Sequence, residues 1–400
     1  MDVFRELAGL RPDAFLPDLA TVLNNLSVDL GGLGRREEAL AVITEAVEIR
    51  RELAGLRPDA FLPNLAMSLN NLSIRLGGLG RREEALAAIT EAVEIRRELA
   101  GLRPDAFLPD LAMSLNNLSS HLGDLGRREE ALAAITEAVE IRRELAGLHP
   151  DAFLPDLATS LNNLSNHLGD LGRREEGLAA ITEAVEIRRE LAGLRPDAFL
   201  PDLATSLNNQ SVRLEHLGRL EEALAAITEA VDAYRELAGL RPDAFLPNLA
   251  TVLNNLSSHL GDLGRREEGL AVITEAVEIR RELAGLRPDV FLPDLATVLN
   301  NLSSHLGDLG RREEGLAAIT EAVDVYRELA RVRPDAFLPN LATSLHNFAI
   351  RLGGLERLEE ALAAITEAVE IRRELARLRP DVHQSELDRS LEVRSWLRSR

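Results

Sequence analysis

The sequence returns to itself every 46 residues. The phrase Arg-Pro-Asp-Ala-Phe-Leu-Pro begins at Arg11 and recurs at Arg57, Arg103, Arg195, Arg241 and Arg333, with His149 replacing the Arg in one copy and Val290 the Ala in another. All 17 prolines fall in two columns of this frame, nine from Pro12 to Pro380 and eight from Pro17 to Pro339. A unit this short cannot bury both of its faces alone, so successive units must stack. A quasi-one-dimensional solenoid is therefore expected, in place of the two or three domains that 400 residues would otherwise suggest.

Within the first unit, Leu19, Leu23, Leu26, Leu30 and Leu33 alternate at spacings of four and three, which predicts a helix (helix A). Proline lacks an N–H and fits near a helix start. Two beginnings stay open: Asp13 capping a helix from Ala14, or a start near Pro17 and Asp18. Gly31, Gly32 and Gly34 are expected to end it. A second helix (helix B) is predicted from about Arg35 to Ala54, with Leu40, Ile43, Val47 and Leu53 on its apolar face and Ala39 and Ala46 as small contacts. Glu37 and Glu38 in its first turn, and Arg50 and Arg51 towards its end, suit the helix dipole. Gly55 reads as its stop, and Pro58 as a block to continuation. The short turn makes A and B antiparallel neighbours. No strand signal occurs, so the class is all-α.

This pattern resembles the tetratricopeptide repeat, whose small and apolar positions match Leu23, Leu26, Ser27, Leu30, Gly34, Ala39, Ile43 and Ala46. The Leu-Asn-Asn-Leu and Gly-Arg-Arg-Glu-Glu-Ala-Leu phrases are most similar to the long repeats of kinesin light chain and of bacterial regulators. Leu23 and Leu30 stand where the family has Trp and Tyr, Ile43 where it has an aromatic, and the period exceeds the usual 34 residues. The resemblance implies a right-handed superhelical solenoid of eight 46-residue helix-turn-helix repeats over 12–380, with helix A lining the concave groove. Residues 1–11 match the end of a helix B, so the chain is expected to begin inside a repeat, as a piece of a longer protein or with a stub that caps the array. After Pro380 the frame breaks, and 381–400 reads as a polar capping helix carrying the single Trp396.

Composition excludes several chemistries. With no cysteine there is no disulfide or zinc-thiolate site. All 46 basic residues are arginine, so no phosphate-loop lysine or Schiff-base lysine is available. That bias is what GC-rich coding gives and points to a bacterial source. A net charge of −20 argues against nucleic acid. No apolar run approaches the roughly 20 residues of a membrane span, and the N-terminus lacks a signal-peptide layout. A cytoplasmic protein is expected, with no membrane partner, no cofactor, and no grouping of Ser, His or Asp that forms a catalytic set.

Two asparagine columns recur. One is Asn24, Asn70, Asn116, Asn162, Asn208, Asn254 and Asn300, ending in His346; its neighbour is Asn25, Asn71, Asn117, Asn163, Asn209, Asn255, Asn301 and Asn347. In the tetratricopeptide region of O-GlcNAc transferase, asparagines matching the Asn25 column grip peptide backbone, so the resemblance implies that role here. An amide offers donor and acceptor, as a peptide unit does. The same residues would also recur if the repeats had duplicated recently, or if each amide bonded to a neighbouring helix. The end of helix A varies most between units. His121 with Asp124, His167 with Asp170, His259 with Asp262, and His305 with Asp308 form a candidate specificity rim. Each His…Asp pair supplies two ligands a repeat away from the next, too few for a metal site, and none is expected. The invariant Phe15 column reads as connector packing, and Tyr234 and Tyr326, replacing the Arg50 column, as local gap fillers. A buried, unpaired amide is expected at Gln210, where the other units have an apolar residue.

The reading that follows is a non-catalytic scaffold binding protein or extended peptide in the helix-A groove. The alternative is a sensor or autoinhibitory arm of a larger signalling protein built on a nucleotide-switch ATPase or a caspase-like protease.

Overall fold

A computed structural model describes residues 2–400, the side chains of Asp2 and Asp381 excepted. Met1, the first residue of the expected partial helix, lies outside them. Among the described residues there are 18 α-helices and no strand. After α1 (Asp2–Leu10), the helices alternate. The A helices are α2 (Pro12–Gly32), α4 (Pro58–Gly78), α6 (Pro104–Asp124), α8 (Pro150–Asp170), α10 (Pro196–His216), α12 (Pro242–Asp262), α14 (Pro288–Asp308) and α16 (Pro334–Gly354). The B helices are α3 (Arg36–Leu56), α5 (Arg82–Leu102), α7 (Arg128–Leu148), α9 (Arg174–Leu194), α11 (Leu220–Leu240), α13 (Arg266–Leu286), α15 (Arg312–Val332) and α17 (Leu358–Leu378), and α18 (Pro380–Arg398) closes the series. The chain forms two compact units, residues 1–199 and 200–400. In each, helices pack on their neighbours in sequence, as α2 on α3 and α3 on α4 in the first and α12 on α13 and α13 on α14 in the second, the order of a solenoid. None of the helices is long and apolar enough to cross a membrane.

Helix A begins earlier than either expected start. Proline pushes the residue before it out of the α region, and Arg57 accordingly sits at φ −141°, ψ 79° between α3 and α4. That single extended residue is the whole connection. Pro58 then takes the first helical position, where a missing N–H costs nothing, and Pro63 is carried inside the helix. Gly55, read as a stop, lies within α3, because the break is set by Pro58. The A-to-B turn does depend on glycine. Gly34 has φ +75°, and Arg35 N–H reaches back to the Leu30 carbonyl at 2.9 Å, the six-to-one bond of a Schellman closure. Gly31 and Gly32 remain helical.

The core lies between the helices of a pair and between pairs. Leu23 and Ile43 are fully buried, with Ala20, Ala39 and Ala46 allowing close approach. Leu33, counted in the apolar stripe, instead lies exposed in the turn. In the Phe column, Phe61, Phe107 and Phe337 are buried and the other five half-buried. The Arg57 guanidinium lies 5.0 Å from the Phe61 ring centroid, a cation–π contact repeated at Arg103–Phe107 and Arg333–Phe337. Successive A helices approach within 8 Å between Cα atoms, as α2 with α4 and α14 with α16, whereas no successive B helices do among the described residues. B helices are spanned by long side chains, as in the Arg51–Glu91 ion pair of 2.6 Å. Each unit therefore curves with its A helices on the tighter, inner side.

The turn glycine is replaced once. Glu356 holds φ 61°, the single left-handed non-glycine residue among those described. A side chain there costs about 1–2 kcal/mol. Glu356→Gly is expected to stabilise the last helix pair by about 1 kcal/mol, read as a higher urea midpoint at unchanged m-value; an unchanged or lower midpoint would contradict it.

Candidate functional site

The inner face rests on a buried charge, Arg50, expected from its place near the end of helix B only to suit the helix dipole. Arg50 is 2% exposed. From helix B its guanidinium donates to the Asn64 carbonyl (2.8 Å) and Ser68 Oγ (2.5 Å) on the next A helix, and towards Thr21 Oγ1 (3.4 Å) on its own. Arg96 repeats the pattern with the Asp110 carbonyl and Ser114, and Arg142 with the Asp156 carbonyl and Ser160. Arg280 faces Val298 in the serine column and instead pairs with Asp294 Oδ2 at 3.0 Å. Burial pushes the Arg50 pKa down to about 10, so it stays protonated at neutral pH.

The asparagines stand on this layer. Ser68 Oγ donates to Asn24 Oδ1 (3.0 Å), and Asn71 Nδ2 donates to the same oxygen (3.1 Å). Asn117 donates to Asn70 (3.0 Å), Asn163 to Asn116 (3.0 Å), Asn255 to Asn208 (2.8 Å), Asn301 to Asn254 (2.8 Å) and Asn347 to Asn300 (3.1 Å). Each of these amides thus commits one of its two N–H bonds to the preceding repeat. Their Oδ1 atoms receive only long contacts, such as Asn254 Nδ2 to Asn255 Oδ1 at 3.4 Å. Asn25, at the start of the row, is exposed, and the rest, Asn209 among them, are half-buried.

The histidines of the expected rim do not face outwards. His121, His259 and His305 are buried and His167 half-buried, while Asp124, Asp170, Asp262 and Asp308 are exposed. Each ring leans back onto the preceding repeat, over a position that is usually glycine. A Cβ added to Gly77 would meet His121 Cε1 at 2.8 Å, and one on Gly123 would meet His167 Cε1 at 3.0 Å. Burial lowers the pKa values of His121, His167 and His305. The variable stretch is therefore a packing joint between repeats. Gln210 departs from expectation too: it is half-buried and not without a partner.

Sequence reasoning missed two pockets on the inner face. Where tyrosine replaces the buried arginine, the phenol meets an asparagine amide on the next helix in place of the carbonyl and hydroxyl that a guanidinium takes. Tyr326 Oη shares a hydrogen bond with Thr297 Oγ1 (2.7 Å) and accepts from Asn340 Nδ2 (3.4 Å). Beside it lies a 280 Å³ pocket lined by Asn300, Thr343, Ser344, His383 and Glu386. Tyr234 is bonded likewise to Thr205 Oγ1 (2.7 Å) and Asn248 Nδ2 (3.2 Å), next to a 280 Å³ pocket reaching Asn208, Arg280 and Asp294. The two tyrosines break an otherwise invariant arginine column, and that was the available signal.

Residues 18–98 match one model of the tetratricopeptide repeat. Residues 111–151, 157–197, 203–243, 249–289 and 341–376 match a second model of the same description, and the two together cover more than half of the chain. The chain belongs to the tetratricopeptide repeat family. A shorter stretch, 294–333, matches the model of anaphase-promoting complex subunit 5. No curated protein matches the sequence. Among solved structures, BtubC (BKLC) from P. vanneervenii is 21% identical, with 62% of this chain and 92% of that one covered and a TM-score of 0.52. A Rap protein complexed with Competence and Sporulation Factor is 16% identical, with 90% and 99% covered and a TM-score of 0.52. Aspartyl phosphate phosphatase F from Bacillus subtilis is 13% identical, with 82% and 75% covered and a TM-score of 0.54. At these identities what is shared is the fold.

Adjacent glycines give the packing joint a test of sign. Alanine normally stabilises a helix over glycine by about 1 kcal/mol, and a Cβ on Gly78 meets nothing within 4 Å. Gly78→Ala is expected to raise stability by up to that amount. Gly77→Ala, which drives a Cβ into the buried His121 ring, is expected to lower it. Thermal melts of the two variants moving in the same direction would contradict this account.

His346 gives a test in pH. Its Nδ1 lies 3.0 Å from Ser390 Oγ and 3.4 Å from the Arg372 guanidinium, which can only donate, so that nitrogen keeps its lone pair and the ring is neutral. Burial, and then Arg372 and Arg389, hold its pKa down at about 4 from the ordinary 6.5. Its contribution is complete above about 6.5 and is lost as pH falls towards 4. His346→Asn, which restores the residue of the other repeats, is expected to flatten the loss of hydrogen-exchange protection in α16 and α18 over that window. An equally steep loss in the variant would rule the residue out as its source.

Proposed function

We propose that this chain is a non-catalytic scaffold that binds an extended peptide along the inner face of its A helices, the Asn25 column bonding to the peptide backbone. The observation that carries the reading is the half-used amide. In repeat after repeat the column gives one N–H to the neighbouring repeat and keeps a second N–H and a carbonyl oxygen free of short bonds. A peptide unit needs that combination. The similar Rap structure complexed with Competence and Sporulation Factor supports the reading by fold.

The tyrosine pockets supply side-chain selectivity. Each lies beside a tyrosine that stands in the arginine column, and each has a carboxylate at its edge, Glu386 or the Asp294 that also pairs with Arg280. A ligand arginine would meet Glu386 in one and share Asp294 with Arg280 in the other, and the acidic chain would steer a basic peptide towards them. Packed helices lie roughly 8–10 Å apart and an extended peptide rises about 3.3 Å per residue. Tyr234 and Tyr326 are two repeats apart, so the two anchors fall about six residues apart in the ligand.

The test is selection of a random peptide library on the chain, with affinities of enriched peptides measured by fluorescence anisotropy. Enriched peptides should carry paired basic residues at about that spacing. Tyr234→Arg with Tyr326→Arg fills both pockets with the residue the column otherwise carries, and should leave helicity unchanged while weakening binding at least about tenfold. Changing Asn117, Asn163, Asn255 and Asn301 together to Ala removes four bonds of about 1 kcal/mol each, and should weaken all peptides by about three powers of ten. Full binding by either folded variant would overturn the reading.

A further inference from the structure

At one place the fold adds a third ligand to a His…Asp pair. The column of Gly31 is glycine in every repeat except the fifth, where it is Glu215. The ring that leans onto this position from the next repeat is His259. Its Nδ1 lies 3.5 Å from Glu215 Oε2, and ligand atoms of Glu215, His259 and Asp262 all lie within 4.8 Å of one another.

The hydrogen bonds around His259 fix which nitrogen faces the carboxylates. Ser211 Oγ donates its one hydrogen to the Asn208 carbonyl at 2.8 Å. The 3.2 Å contact between Ser211 Oγ and His259 Nε2 must then be donated by the ring. Nδ1 is left as the coordinating atom, and it has no hydrogen-bond partner although the residue is 99% buried. A second-shell acceptor on one nitrogen, with the other aimed at two carboxylates, is the arrangement of a metal-binding imidazole.

We infer that Glu215, His259 and Asp262 bind one divalent transition-metal cation, which joins the C-terminal ends of α10 and α12. One imidazole with two carboxylates suits zinc-like ions better than magnesium or calcium, which take oxygen ligands. Tetrahedral coordination at about 2.0–2.1 Å sets ligand atoms roughly 3.3 Å apart, close to the existing His–Glu separation. Asp262 is exposed and free to turn inwards, and water completes the shell. The neighbouring joints lack the glutamate: His121, His167 and His305 lean on Gly77, Gly123 and Gly261.

The test is Zn²⁺ titration of the full chain after EDTA treatment, followed by calorimetry, with Co²⁺ absorbance as the reporter of coordination. One ion per chain is expected, with Co²⁺ d–d bands. Glu215→Gly and Asp262→Gly each install the residue that other repeats carry at that position, so both should keep their helicity. Each should weaken Zn²⁺ binding by about tenfold or more and abolish the Co²⁺ bands. A stripped parent that takes up no ion, or a folded Glu215→Gly chain with unchanged affinity and stoichiometry, would overturn the site.

Discussion

A buried guanidinium ties helix B of one repeat to helix A of the next wherever Arg50, Arg96, Arg142 or Arg372 stands. Arg50 leaves helix B, passes through the apolar interior and ends on a backbone carbonyl and a hydroxyl of the following A helix. Its partners there are neutral, so the charge is stabilised by directed dipoles. Removing one side of such an arrangement is expensive, because a buried charge without partners costs about 3–5 kcal/mol. The column therefore constrains what may stand opposite it. Serine serves at Ser68, Ser114 and Ser160; where Val298 supplies no hydroxyl, Asp294 turns in to meet Arg280. Where the cation itself is absent, at Tyr234 and Tyr326, the phenol accepts from Asn248 or Asn340 on the next A helix and a pocket remains.

The same logic of pairs across the joint explains variation that looks like drift within one repeat. Side chains in the Asp29 column reach the Gly31 column of the preceding repeat, so Arg75 lies over Gly31, His121 over Gly77 and Arg351 over Gly307. The rule persists past Pro380, where the sequence frame breaks. A Cβ on Gly353 would meet Leu397 at 3.0 Å, and Ser390 of α18 takes the Arg372 guanidinium as Ser68 takes Arg50. α18 thus packs on α17 in the register of an A helix, despite its polar sequence.

Much of this was legible in the sequence, and the failures have physical causes. The period, the paired helices and the absence of strands follow from spacing alone. The helix starts were misplaced because proline was weighed for its missing N–H and not for its hold on the residue before it, which makes Arg57 the entire connector. Arg50 was read as a charge that suits the helix dipole, yet Ile43, Ala46, Val47, Arg50 and Leu53 fall on one stripe, and all are buried. The stripe was the better guide, since tyrosine replaces Arg50 twice. The histidines were misread because their partners lie a full repeat upstream, a separation that a local reading of helix ends does not join.

The inner face then carries two demands on the same amides. The Asn25 column must hold successive A helices at one spacing, and on the proposed reading it must also meet a ligand. One N–H suffices for the first, because Asn24 Oδ1 is already fixed by the Ser68 hydroxyl, itself polarised by Arg50. The donor chain from guanidinium to hydroxyl to amide oxygen runs in one direction and leaves the outermost amide oriented before any ligand arrives. Pre-set donors and acceptors lose little entropy on binding. The buried charge thus joins the repeats and orients the face that they present.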